Sequence, residues 1–163
     1  MNIEEMLAII PIAMQTAIKK FNKHEMYLVS CDVNERTVSS KFGHYLADEL
    51  QKQGIRGYDV DAEYNRDGDD IKCIGGANAI PDLIVHKRGR HMLRDGSNLI
   101  CIEMKKTSNP QGFEEDVRRL KMFVKEVPFC YMIGYMIEIN VNYGLKIARK
   151  VAFNLSTNQI EFE

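Results

Sequence analysis

Apolar residues recur at Ile3, Leu7, Ile10, Met14, Ala17 and Phe21, in alternating steps of three and four, and predict a helical stripe at the start of the chain. Pro11 disfavours helix at the residue before it, so a kink, or two short helices meeting there, is expected. A second helix is better bounded. Asp32 followed by Glu35 has the spacing of a capping box, and Gly54 marks the stop. Val38, Phe42, Tyr45, Leu46 and Leu50 form its apolar face, and Glu35 lies at the mouth of that stripe.

After Gly57 the period changes to two. Tyr58 to Tyr64 alternates as a strand does, and residues 65–79 read as a polar loop rich in Asp and Gly. Ile80 to His86 and Asn98 to Lys105 are apolar strands joined by a charged turn centred near Leu93. Gly112 to Glu126 is helical, with Phe113, Val117, Leu120 and Val124 on one face. Phe129 to Ile139 and Leu145 to Phe153 are further strands, and Gln159 to Phe162 is a short last one. No linker or repeat interrupts the order. The expectation is one α/β domain over residues 1–163 with a mixed sheet flanked by helices. Residues 1–24 would be a helical extension and 32–139 the core.

At 163 residues, 45% of them apolar and 28% charged, the chain can bury a core of its own, and disorder or low complexity is excluded. Its four cysteines show no CxxC or CxxxxH spacing, which argues for reduced thiols and against zinc. The N-terminus is acidic where a secretory signal needs positive charge, and its apolar stretch is too short to span a bilayer, so a cytoplasmic protein without membrane contact is expected.

The chemistry gathers on the two central strands. An antiparallel hairpin turning near Leu93 sets Val85 opposite Ile100 and Asp82 opposite Glu103, bringing two carboxylates together at the end away from the turn. Period two puts Glu103 and Lys105 on one face and Met104 on the other. Paired carboxylates repel, and a hard divalent cation relieves that repulsion. Asp82 and Glu103, with the backbone carbonyl of Met104, form an oxygen-only set suited to Mg²⁺ or Mn²⁺. Lys105 beside such an ion can orient an attacking water and neutralise developing charge.

Pro81-Asp82 and Glu103-Met104-Lys105 together resemble the two halves of the motif of the PD-(D/E)XK nuclease superfamily. The phrases Glu63-Tyr64-Asn65-Arg66, Ile84-Val85-His86 and Asn98 through Lys106 are similar to a group of small bacterial members. The resemblance covers residues 32–139. It implies a restriction-endonuclease-like core, Asp82 and Glu103 as metal ligands and Lys105 as the catalytic lysine. Glu35 would be the acidic residue of the first core helix that completes the metal site, although the capping box accounts for it without catalysis. Lys121 resembles the basic residue with which such proteins contact substrate phosphate. Glu63 with Arg66 would be an ion pair supporting the site, or else Asp59, Asp61 and Glu63 are a solvated acidic row. Lys106 faces away from Lys105 and is at most substrate-facing, and His86 is expected to be structural or on the surface rather than a general base.

The formal charge of −1 hides an asymmetry: Lys87 to Lys125 carries ten Lys and Arg against five Asp and Glu. Arg88, Arg90 and Arg94, with Arg118, Arg119, Lys121 and Lys125, could track a phosphate backbone. The expected function is hydrolysis of phosphodiesters in nucleic acid, DNA favoured over RNA, by an endonuclease with Mg²⁺ or Mn²⁺. Two-fold pairing through the first helix, or a protein partner that supplies the address, would complete it. The rival expectations are a catalytically silent module of the same fold that binds protein or nucleic acid, and an unrelated small-molecule hydrolase.

Overall fold

The computed structural model describes residues 1–67, 70, 71, 73, 74, 77, 78, 80–89, 94–127 and 129–163, with backbone alone for those between 66 and 78. Helix α1 spans Ile3–His24, α2 Met26–Ser30 and α3 Glu35–Lys52. Strand β1 (Asp59–Ala62) follows, then four short strands, β2 (Arg66–Asp67), β3 (Asp70–Ile71), β4 (Cys73–Ile74) and β5 (Ala77–Asn78). The rest of the chain is β6 (Leu83–His86), β7 (Asn98–Lys106), α4 (Phe113–Lys125), β8 (Ile133–Asn140), β9 (Gly144–Asn154) and β10 (Gln159–Phe162).

One six-stranded mixed sheet, in the order β1-β6-β7-β8-β9-β10, organises the molecule. All neighbouring pairs are antiparallel except β7 and β8, which run parallel. A parallel pair needs a crossover connection, and α4 supplies it. The sheet is therefore covered on both faces. On one, α1 and α3 pack through Ile10, Met14, Phe21, Phe42 and Leu46 against Leu83, Val85, Ile100, Ile102 and Met104. On the other, α4 packs through Val117, Leu120, Phe123 and Val124 against Ile84, Cys101, Met136 and Val151. Alternation along β6 and β7 divides the two cores as period two requires. The fold is α/β, as expected.

Local details depart from the sequence reading. The first helix runs unbroken through Pro11, because burial of the stripe from Ile10 to Phe21 outweighs the one hydrogen bond that proline removes. That stripe lies inside the protein's own core rather than on a surface offered to a second copy. The capping box belongs to α1, where Asn2 and Glu5 exchange side-chain and backbone hydrogen bonds of 2.8 and 2.9 Å. At α3 the cap is Asn34, which accepts from the Thr37 N–H at 2.8 Å, while Asp32 has φ 53° and pairs with Lys106 instead. The segment expected as loop holds two small ribbons, β2 with β3 and β4 with β5. Residues 129–132 lie before β8 rather than within it; Tyr131 there is fully buried, its ring edge-on to Phe123.

α1 and α3 are clamped together by Glu49, a buried carboxylate that accepts from both Lys20 and Lys52. α4 sits close on the sheet because Gly134 of β8 has no side chain: a Cβ there would meet Leu120 at 2.8 Å and Val124 at 3.2 Å. Among the described residues no helix is long and apolar enough to cross a membrane. Cys31 is exposed, Cys101 and Cys130 are buried, none of the three is in a disulfide, and the Cys73 side chain lies outside the described residues.

Candidate active site

The hairpin register is the expected one. Val85 stands opposite Ile100 and Leu83 opposite Ile102, so the next step along the ladder sets Asp82 against Glu103. A bulge between Val85 and His86 shifts pairing only on the turn side, away from these two. The turn itself, residues 90–93 with the expected centre at Leu93, lies outside the described residues. Asp82 sits just before β6, where its Oδ2 accepts the backbone N–H of Met104 at 2.7 Å. The Met104 side chain points into the α1–α3 core, and Glu103 and Lys105 point toward α4.

Glu103 is almost fully enclosed, at 1% exposure. Burial, and then the charge of Asp82, holds its carboxyl well above the usual carboxylate range. Asp82 is likewise pushed up to about 6. Burial is the main cause; the charges of Glu35 and Asp116 push the same way, and the Met104 N–H and a hydrogen bond with Glu103 offset them only in part. Two carboxyls this close and this dry cannot both ionise cheaply, so the pair retains a proton that open carboxylates would have lost near neutral pH.

Two residues of α4 complete the cluster: Asp116, which no motif singles out, and Arg119, expected only as part of a basic track. Asp116, itself buried, takes the Lys105 ammonium on Oδ2 at 2.9 Å and the Arg119 guanidinium on Oδ1 at 2.8 Å. The same Arg119 nitrogen, Nη2, stands 3.2 Å from Glu103 Oε1. The approach is out of line, because Glu103 Oε1 and Arg119 Nε are both buried without a hydrogen-bond partner. Lys105 is held protonated, chiefly by its bond to Asp116. The spacing of three between Asp116 and Arg119 was legible as a helical ion pair, but nothing in it pointed back to strand β7.

Glu35 opens α3 and reaches the same strand: its Oε1 accepts the Lys106 N–H at 2.9 Å. It does not close a capping box. Its charge nonetheless acts on both Asp82 and Lys105, so it stands at the margin of the cluster. Lys106 faces the other way, as expected, and its ammonium is tied to Asp32 at 2.7 Å. Glu63 leaves strand geometry with φ 50° and accepts from Arg36 Nε at 2.6 Å; the Arg66 side chain, its expected partner, lies outside the described residues. The expected acidic row does not form. Asp61 instead accepts from Arg88 and lies 2.9 Å from His86 Nε2, and His86 is buried against the Tyr64 ring.

The basic stripe foreseen along this half of the chain is largely engaged. Arg88 is bound to Asp61, Arg94 stacks 3.3 Å from the Phe153 ring centroid, and Arg118 grips Glu115. Lys121 lies 3.8 Å over the Phe162 ring on β10, at the opposite edge of the sheet from β1, and not beside Lys105. Arg90 lies outside the described residues.

A cleft of about 530 Å³ opens beside the cluster, lined by Lys105, Lys106, Gly112, Phe113, Glu115 and Arg149 among others. That volume is in the range of small-ligand sites. Among the described residues no three His, Cys, Asp or Glu side chains stand in an array ready to hold a metal ion. No known protein family, curated protein or solved structure matches the chain.

As it stands, the cluster is an interlocked set of three carboxyls (Asp82, Glu103, Asp116) and two cations (Lys105, Arg119), with Glu35 at its edge. Such a set can bind a divalent cation, donate hydrogen bonds to an anion from Lys105, or simply brace α4 on the sheet.

Proposed function

We propose that the chain is a metal-dependent nuclease of the PD-(D/E)XK type, on a restriction-endonuclease-like core, hydrolysing phosphodiester bonds in nucleic acid, with DNA the favoured substrate. The single observation that carries the reading is the meeting of Asp82 and Glu103 across β6 and β7 with Lys105 on the Glu103 face. Three features support a cation there. The donors are carboxyl oxygens, Glu103 Oε1 is buried without a hydrogen-bond partner, and burial pushes the Asp82 carboxyl up to about 6.

Asp82 and Glu103 would hold Mg²⁺ or Mn²⁺, with the Met104 carbonyl and Glu35 as further oxygens. When bound, the ion supplies Lewis acidity toward phosphate and charge neutralisation in the transition state. The chain's own residues supply the rest. Asp116 fixes the Lys105 ammonium in its charged state, so Lys105 serves as a hydrogen-bond donor and not as a base. From the rim of the cleft it can orient a water for in-line attack and meet the negative charge that gathers on phosphorus oxygens.

The test is incubation of plasmid, linear duplex and single strands with Mg²⁺, Mn²⁺ or chelator, comparing the native chain with Lys105→Ala. Metal-dependent cleavage lost in the variant supports the reading; equal cleavage by both, or none by the native chain, removes it. A second reading, a catalytically silent module of the same fold, is favoured by one observation: Lys105 and Arg119 already answer Asp116 and Glu103 without a metal. It predicts nucleic-acid or protein binding unchanged by chelator.

A further inference from the structure

The position of Arg119 deepens the proposed function, on which this inference rests. We propose that Arg119 is a resident counter-cation: it stands in for the divalent ion in the metal-free protein and is displaced when the ion binds. The geometry is that of a replaceable partner. Both carboxyl contacts of Arg119 are made through one nitrogen, Nη2, at 3.2 Å to Glu103 and 2.8 Å to Asp116. The strongest guanidinium–carboxylate pairs are commonly made through two parallel N–H bonds. Here Nε is buried with no partner, and Glu103 Oε1 receives no aligned bond.

Departure is also cheap on the Asp116 side. Lys105 holds Asp116 through the other oxygen, Oδ2, at 2.9 Å, so Asp116 keeps a cation when Arg119 swings away. Arg119 has somewhere to go, because its side chain is 36% exposed while that of Glu103 is 2% exposed. Arg119 brings one positive charge to two carboxyls, whereas a dication brings two, so exchange of one for the other gives each carboxyl a counter-charge.

Calorimetric titration of the full chain with Mg²⁺ and with Mn²⁺ tests this, comparing native protein, Arg119→Gln and Arg119→Lys. Arg119→Gln removes the competitor and should bind either ion about tenfold or more tightly, with Arg119→Lys between it and the native chain. Thermal melts give a readout independent of catalysis. Metal-free Arg119→Gln should melt below the native chain, and its upward shift on adding Mg²⁺ should be larger. If Arg119→Gln does not fold, the affinity of Arg119→Lys decides: tighter binding supports displacement, and equal or weaker binding overturns it. A native chain that binds the ion while Arg119→Gln binds no more tightly overturns this inference and leaves the nuclease reading intact. Absence of binding in every form overturns both.

Discussion

The Met104 amide donates to Asp82 Oδ2 at 2.7 Å, so strand β7 grips the carboxylate that belongs to its neighbour before that carboxylate meets any ligand. Asp82 is nonetheless held up to about 6, above its ordinary value, because burial outweighs that bond. A carboxyl raised on folding binds more protons in the native state, so its contribution to stability is lost as pH climbs from about 4 to about 6. Asp82→Asn keeps an acceptor for Met104 and removes the charge. The melting temperature of metal-free native protein should fall relative to Asp82→Asn between pH 4 and pH 8, by the equivalent of roughly 2–3 kcal/mol. Mg²⁺ should cancel the difference above pH 6. Parallel melting curves across that range would refute the assignment.

Asp116 keeps Lys105 charged and in place. Asp116→Asn should lower the Lys105 pKa, because the bond to a carboxylate is the main reason it is raised. Amine-directed labelling of metal-free protein, read at Lys105 by mass spectrometry, should therefore become faster at pH 8–9 in the variant. Nuclease activity should drop by about 10²-fold or more, in line with loss of a positioned donor.

Seating of α4 against β8 depends on Gly134. Gly134→Ala puts a methyl group 2.8 Å from Leu120 in a closed core, at a cost of about 1–3 kcal/mol. Since α4 also carries Asp116 and Arg119, cleavage should weaken along with stability in chemical denaturation. A variant of native stability and full activity would show that the helix has slack.

Few cations near the cluster are without an internal partner. If cleavage occurs, kcat/KM should depend weakly on salt, by roughly 3- to 12-fold between 50 and 200 mM, as for one or two phosphate contacts. A fall on the order of 10³-fold would reveal an extended basic track that the described residues do not form.

Much of this arrangement is legible in the sequence, for identifiable reasons. The Asp82–Glu103 pairing follows from antiparallel arithmetic, which survives the bulge because the bulge lies on the turn side of Val85. The split of Glu103 and Met104 between two faces follows from period two. The cap of α3 is not legible because Asp32 and Asn34 both have the chemistry, and only the backbone shows which one precedes helical geometry; Asp32 is drawn instead to Lys106. The short ribbons between 66 and 78 carry too few residues for alternation to register. The part that Asp116 and Arg119 play at the cluster is not legible, because it arises from a crossover that folds α4 back over β7, and no local spacing encodes it. Local charge counting failed similarly, since it cannot see Asp61 under Arg88 or Phe153 under Arg94.

Glu35 fastens the first turn of α3 to the Lys106 amide, and three residues earlier on the same strand Glu103 faces α4. The two helical layers, on opposite faces of the sheet, thus share one short stretch of β7 as their common anchorage. Occupation of that stretch by a ligand should slow hydrogen exchange at the start of α3 and along α4 together, and leave the α1–α3 clamp at Glu49 unaffected.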